Sequence, residues 1–198
     1  MKLFHVPGTC SQAPFIVITE LGLKCDIEIV DFANPAELMK VNPRCQVPTL
    51  VLDNGQVLTE GAVIMEYLCD QKPEMNMMPK LGTWERYRAQ ESMNYIATEF
   101  HKGIGAMFMK GMTNDTKTFM RTAAEQKLAT LNTRLGKFPF LTGPLYCAAD
   151  SYCFTVMNWT KWVGIDMKSF PNILAFCERV GNRPAVQKVV QLDTKKPA

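Results

Sequence analysis

The chain has 198 residues, 47% hydrophobic, 21% charged and 10% aromatic, which excludes disordered, collagenous and coiled-coil classes and allows a sizeable core. This length accommodates one large domain or two small ones. A formal net charge of +3 is too mild to argue for a nucleic-acid partner. In chain order, residues 2–5 read as a short apolar strand. Ser11 to Leu21 carries Ile16, Val17, Ile18 and Leu21 before Gly22, the pattern of a helix with a glycine stop. Asp26 to Val30 alternates as a strand does, and Pro35 to Val41 suits one or two helical turns opened by proline. Thr49–Leu52 and Gln56–Leu58 flank Asp53-Asn54-Gly55, where Asn-Gly predicts the positive φ angles of a tight hairpin. Val63, Ile64, Tyr67 and Leu68 then make a helical stripe. A strand–helix–strand unit gives parallel neighbours and a hairpin gives antiparallel ones, so this order predicts a small mixed sheet, the α/β thioredoxin-like arrangement.

Gln71 to Gly82, with Pro73, Pro79 and three methionines, reads as a linker. Beyond it the periodicity is helical: Ile96, Phe100, Ile104 and Met107 form one stripe, and Ala124, Leu128, Leu131 and Leu135 another. Tyr152, Val156, Trp159 and Val163 form a third, with Phe154 and Met157 off it, as expected of a helix in the middle of a bundle. The predicted organisation is a thioredoxin-like domain over 1–75, a linker over 76–82 and an all-α domain over 83–198. Residues 1–75 hold five Lys/Arg against ten Asp/Glu, and 76–198 hold seventeen against nine, so acidic N-terminal and basic C-terminal surfaces are expected to meet in a cleft or a subunit contact.

Seven cysteines, an odd number without any Cys-x-x-Cys, argue against a disulfide framework. His5 and His101 lie far apart with no cysteine pair nearby, so the spacing of a metal site is missing. No long apolar run opens the chain or interrupts it. The expectation is a soluble protein of the reducing cytoplasm, without signal peptide or membrane span.

The chemistry begins at Pro7-Gly8-Thr9-Cys10-Ser11, where a strand ends and a helix starts at the cysteine. Unpaired N–H groups and the helix dipole favour a thiolate there. A fall in pKa from ~8.5 to ~6.5 would raise the ionised fraction at pH 7 from roughly 3% to roughly 75%. The accompanying loss of nucleophilicity would leave a net gain of only about threefold, so placement matters more than acidity. In Gln46-Val47-Pro48-Thr49, a cis proline ahead of a strand would leave the Val47 N–H and C=O free to pair with an extended peptide. At Thr59-Glu60-Gly61, a helix start can hold a carboxylate by its N–H groups while Glu60 holds an amine, which suits the zwitterionic end of a ligand.

Over its whole length the sequence resembles a bacterial beta class glutathione transferase. The resemblance rests on Met1-Lys2-Leu3-Phe4, Pro7-Gly8-x-Cys10-Ser11, Val41-Asn42-Pro43, Gln46-Val47-Pro48, Leu58-Thr59-Glu60-Gly61, the run from Asn94 to Gly103, and Ala149-Asp150 before an aromatic helix. It implies the glutathione transferase fold, with glutathione as co-substrate and no separate cofactor. Val47, Pro48, Glu60, Gly61 and Ser11 would lie in the glutathione site. Cys10 would face the glutathione sulfur, His101 and Lys102 would reach in from the helical domain, and Asn94 would cross the interface of a homodimer. The implied reaction joins the glutathione sulfur to a hydrophobic electrophile held by side chains such as Phe108, Met109 and Met112. Cys10 would either stay protonated and donate to the glutathione thiolate or ionise and exchange with disulfides. A binding or regulatory protein on the same fold and a dedicated glutathione-dependent disulfide reductase are the alternatives. The chain departs from the family pattern in four places. His5 replaces a tyrosine one strand end from the sulfur, where it would tune the glutathione site, and Arg44 is the substitute for a missing lysine that meets the glycyl carboxylate. Cys45 replaces a glycine, which raises a Cys10–Cys45 pairing, and Cys147 stands where a hydroxyl N-cap is expected, with Asp150 to compensate.

Overall fold

The structure, a computed structural model, describes residues 1–193. Residues 194–198, the end of the expected helical domain, lie outside the described residues. Strand β1 (Lys2–His5) is central. It pairs in parallel with β2 (Asp26–Ile29) through helix α1 (Gln12–Leu21), and antiparallel with β3 (Thr49–Val51), which pairs antiparallel with β4 (Val57–Leu58). The sheet order is β2-β1-β3-β4, the thioredoxin-like arrangement that the element order implies. Gly22 stops α1 in the left-handed conformation (φ +58°), its N–H reaching the Ile18 and Thr19 carbonyls. Helix α2 (Ala36–Val41) follows β2, and α3 (Gly61–Asp70) follows β4.

Two local details differ from expectation. The hairpin loop has three residues: Leu52 N–H donates to the Gln56 carbonyl and Gly55 N–H to the Leu52 carbonyl, both at 2.9 Å. Only Gly55 of the loop takes a positive φ (+81°), while the Asn54 side chain accepts from the Gln56 N–H. On α3 the buried stripe is Ile64, Met65, Leu68 and Cys69, while Val63 is exposed. The helix is turned towards α1, which packs directly against it.

The second half is all-α: α4 (Trp84–Tyr95), α5 (Lys102–Ala106), α6 (Asn114–Leu135), α7 (Ala148–Met157), α8 (Pro171–Gly181) and α9 (Pro184–Asp193). A π-helical turn, Ile96–His101, joins α4 to α5. Such turns often occur where a side chain must be re-aimed for function. Every residue of α7 is buried, as the central position in the bundle predicts. The linker is tied down rather than loose: Met77 and Met78 are buried, and the Met77 carbonyl accepts from the Ala148 N–H at 2.9 Å. Helix α1 packs on α3, α7 and α9, so one apolar core runs from Leu3 and Ile16 through Val156 to Phe176 and Val189 without a break between halves. The expected meeting of opposite charges occurs inside the chain, where Arg86 pairs with Glu66 and Asp70, and Arg183 with Glu20. Among the described residues, no helix is long and apolar enough to cross a membrane.

Candidate active site

Cys10 lies between the Pro7-Gly8 turn and Ser11, the residue that precedes the first turn of α1, so it sits just outside the helix rather than opening it. Gly8 provides the positive φ (+76°) that turns the chain, and its carbonyl accepts from the Trp159 indole N–H at 3.0 Å, which pins the turn from the helical half. The Val47–Pro48 peptide is cis, as the sequence predicts, and the Cys10 thiol donates to the Val47 carbonyl at 3.3 Å. The sulfur therefore faces the backbone of residue 47. Buried Asn42 holds the preceding loop by donating to the Gln46 carbonyl (3.1 Å) and the Thr49 hydroxyl (2.9 Å). Glu60 takes φ +66°, an unusual conformation for a side-chain-bearing residue, which sets its carboxylate at the mouth of the site.

Cys10, Val47, Pro48, Glu60, Gly61, His101 and Lys102 line one cleft of about 340 Å³ between the two halves. The other predicted site residues lie elsewhere. His5 and Ser11 are fully buried behind the cleft. Arg44 stands beside the helix start, donating to the Thr59 hydroxyl at 2.7 Å and lying 3.6 Å from Glu60, with its side chain more than half exposed. Asn94 is exposed on α4, away from the cleft of a single chain. Cys10 and Cys45 are both free thiols. Cys45 packs beside the small apolar cluster of Phe4, Val30 and Leu38 instead of bridging.

A second pocket of about 350 Å³ is walled by Phe108, Trp159, Trp162 and two glycines, and it shares Thr9, Cys10 and His101 with the first. Met109 and Met112, expected beside Phe108, are absent from its wall. Tyr152 and Trp159 were expected only as core. Their polar tips were the available signal, because a buried phenol or indole N–H takes a hydrogen-bond partner.

Electrostatics reverse the expectation for Cys10. Burial pushes its pKa up to about 11, outweighing the nearby backbone N–H groups and the Lys102 ammonium, so Cys10 is a thiol at neutral pH. The helix start is too weak a field to offset the loss of solvent around a thiolate. His101 moves the other way: burial, helped by Lys102, lowers its pKa to about 4 and leaves it a neutral imidazole at pH 7.

The comparisons with known proteins agree with this geometry. Models of the glutathione S-transferase N-terminal and C-terminal domains match residues 8–71 and 98–191. The chain is 36% identical over 201 residues to the glutathione S-transferase GstA of Escherichia coli O157:H7, covering 99% of this chain and 100% of that one. A bacterial beta class glutathione S-transferase from Sphingomonas chungbukensis superimposes with a TM-score of 0.93 at 37% identity, covering 98% and 99% of the two chains. A sphingomonad glutathione S-transferase solved with glutathione gives 0.95 at 32% identity, covering 99% and 100%.

The chain belongs to the glutathione S-transferase family. It is an enzyme of that class, and the general reaction of the family joins the sulfur of glutathione to an electrophile. A non-enzymatic role on the same fold is not favoured.

In this transferase His101 is fixed by the helical half. Its Nδ1 lies 2.6 Å from the Tyr152 hydroxyl, and its ring stands edge-on to Tyr152 and Trp159. Burial raises the Tyr152 pKa, so the residue stays a phenol, and it has no other hydrogen-bond partner among the described residues. Donation from that hydroxyl to Nδ1 places the imidazole proton on Nε2. Tyr152→Phe is expected to lower kcat about tenfold, the worth of one buried hydrogen bond, while KM for glutathione moves little. Steady-state kinetics at varied glutathione would check this, and an unchanged kcat would remove Tyr152 from the site.

Proposed function

We propose that glutathione lies in the polar cleft with its sulfur at the junction of the two cavities, and that the aromatic pocket holds a hydrophobic electrophile. The observation that carries this reading is that Thr9, Cys10 and His101 are shared by both walls. The γ-glutamyl end fits the Glu60-Gly61 helix start. The cysteine part fits the backbone of Val47, whose N–H has no intramolecular partner among the described residues. Lys102 supplies positive charge near the sulfur. The thiol of glutathione loses its proton to solvent, and the thiolate accepts hydrogen bonds from the Cys10 S–H and from a neutral His101 N–H. For this the Cys10 S–H turns from the Val47 carbonyl to the incoming sulfur. The thiolate then attacks the electrophilic carbon, forming a C–S bond as the leaving group departs with its electron pair.

Of the two roles open to Cys10, donation is favoured, because a group whose pKa is about 11 is a thiol at neutral pH. Thiol–disulfide exchange through Cys10 is a second, slower activity. Iodoacetamide should therefore alkylate Cys10 of the glutathione-free enzyme slowly at pH 7, with the rate rising about tenfold per pH unit up to pH ~10, as only the thiolate reacts. A rate that levels off near pH 6.5 would restore the thiolate reading. Conjugation of a chlorinated nitrobenzene tests the whole assignment. Cys10→Ser should keep most of the rate, Cys10→Ala should lose about tenfold, and both should abolish reduction of a mixed disulfide. No turnover by the wild type with either substrate would overturn it.

The same reading assigns residues 1–75 to the glutathione-binding domain and 83–198 to the domain that shapes the electrophile pocket, joined by 76–82. It makes the enzyme a cytoplasmic homodimer that serves detoxification. Trp84, Tyr87 and Tyr95 expose aromatic rings along α4 beside Asn94, a surface suited to a second copy.

A further inference from the structure

The two ends of the polar cleft are walled differently. At the start of α3, Thr59, Glu60 and Gly61 line it, and Arg44 reaches the same place from the loop before Pro48. The Arg44 guanidinium donates to the Thr59 hydroxyl at 2.7 Å and lies 3.6 Å from the Glu60 carboxylate. A cation and an anion stand side by side there, the complement of a group that carries both charges.

Past Val47 the wall is made by Phe32, Asn42, Cys45 and Gln46, and none of these side chains carries a full charge. Phe32 is a large ring left exposed. The Asn42 amide is already used: it donates to the Gln46 carbonyl and the Thr49 hydroxyl and accepts from the Arg44 N–H at 3.1 Å. Lys2 and Lys40 pair with Glu28 and Glu37, and the groove that those two acids line also holds Asp31, the residue before Phe32. The balance beside this end is therefore negative. Lys102, on the helical half, acts on Cys10 and His101 at the sulfur.

Glutathione has two carboxylates and one ammonium. The γ-glutamyl group carries the ammonium and one carboxylate on the same carbon, and the glycyl residue carries the other carboxylate alone. A zwitterion is matched by Arg44 and Glu60 together. A lone carboxylate gains most from a cation, and the wall past Val47 has none among the described residues. We propose that Arg44 binds the γ-glutamyl carboxylate and that the glycyl end of the cleft reads no charge, so that the enzyme takes γ-glutamylcysteinyl thiols whose glycyl carboxylate is masked, as an ester or amide, as readily as glutathione. This rests on the reading that glutathione lies in this cleft with its γ-glutamyl group at Glu60 and Gly61. Phe32 then covers the terminal group by apolar contact, which an ester gains as fully as an acid.

The test is calorimetry on the full chain with glutathione, its glycyl ethyl ester and cysteinylglycine, beside conjugation rates with a chlorinated nitrobenzene. The ester should bind within about threefold of glutathione, whereas a site that held the glycyl carboxylate by a charge-assisted hydrogen bond would lose about tenfold or more. Arg44→Ala should weaken both ligands about tenfold and leave their ratio unchanged within about twofold. Its side chain is more than half exposed, so the substitution spares the core. Phe32→Lys should supply the missing cation and make glutathione bind about fivefold tighter than the ester. An ester at least tenfold weaker than glutathione in the wild type would overturn the proposal. So would an Arg44→Ala variant that weakens glutathione but not the ester, because Arg44 would then belong to the glycyl carboxylate. A Phe32→Lys variant that treats the two ligands alike would also overturn it, by placing Phe32 away from the terminal group. Cysteinylglycine lacks the γ-glutamyl group, and if it binds as tightly as glutathione, the placement beneath the proposal fails and the proposal with it. If glutathione and its ester bind equally but neither is conjugated, the transferase chemistry fails and the recognition stands.

Discussion

Asp150→Ala is expected to destabilise the transferase by about 3–5 kcal/mol, from two unsatisfied N–H groups at roughly 1–3 kcal/mol each plus a lost helix cap. The Asp150 carboxylate is fully buried at the start of α7. One oxygen accepts from the Cys147 N–H and the other from the Leu141 N–H, both at 2.8 Å. It therefore caps the helix and fastens the segment that precedes it, which is how the chain manages with a cysteine at the cap position. Asp150→Asn keeps one acceptor and should fall between wild type and Asp150→Ala. Urea midpoints would measure both, and a loss under ~1 kcal/mol for alanine would mean that water reaches those N–H groups. Burial also lifts the Asp150 pKa to about 6, against the pull of the two donors. The unfolded value is ~3.9, so the folded chain binds more protons between the two. The contribution of this group to stability is full below pH ~4 and is lost as pH rises through about 6. Wild type should therefore lose ground to Asp150→Asn over that window.

Arg86→Met should cost about 2–4 kcal/mol, somewhat below the usual cost of breaking a buried ion pair because its carboxylate partners are partly solvated. The Arg86 side chain is 2% exposed, while those of Glu66 and Asp70 are 26% and 37% exposed. Its guanidinium donates to Glu66 at 2.6 Å, to both Asp70 oxygens at 2.9 Å and to the Pro79 carbonyl at 3.1 Å. These contacts bind α4 to α3 and to the linker at once. Removing only the cation leaves two neighbouring carboxylates facing each other across an apolar side chain. Adding Glu66→Gln and Asp70→Asn to Arg86→Met should recover at least half of the loss, as partners in one network do not contribute additively. If the triple variant is no more stable than Arg86→Met, the cost lies in packing of the arginine stem and not in stranded charge.

What could be read from the sequence was whatever is local. Gly22 as a helix stop, Pro48 before a strand, the Glu60-Gly61 helix start and the stripes at 96–107 and 124–135 all act within a few residues, and the structure contains each of them. What escaped depends on distant surroundings. The position of Cys10 near a helix start suggested an acidic thiol, but the walls that raise its pKa come from parts of the chain that no local pattern joins to it. Arg86 lies on a helix whose composition reads as a solvated face, and only the placement of Glu66 and Asp70 makes it interior. The partnership of His5 with Asp193 had no signal at all, since nothing near either residue points to the other. The contacts of Arg44 with Thr59 and Glu60 likewise had no local signal, since fifteen and sixteen positions separate the partners.

The unbroken core that passes beneath the tethered linker has an evolutionary consequence. Two family models divide this polypeptide, yet α1 is sandwiched by helices from both sides of that division. Cutting at the boundary would leave each fragment with a wide greasy wound, so neither piece is a free module for recombination. Exchange of C-terminal halves between relatives should succeed only where the residues facing α1 are carried over as a set, and drift at that seam must proceed by matched changes on its two banks.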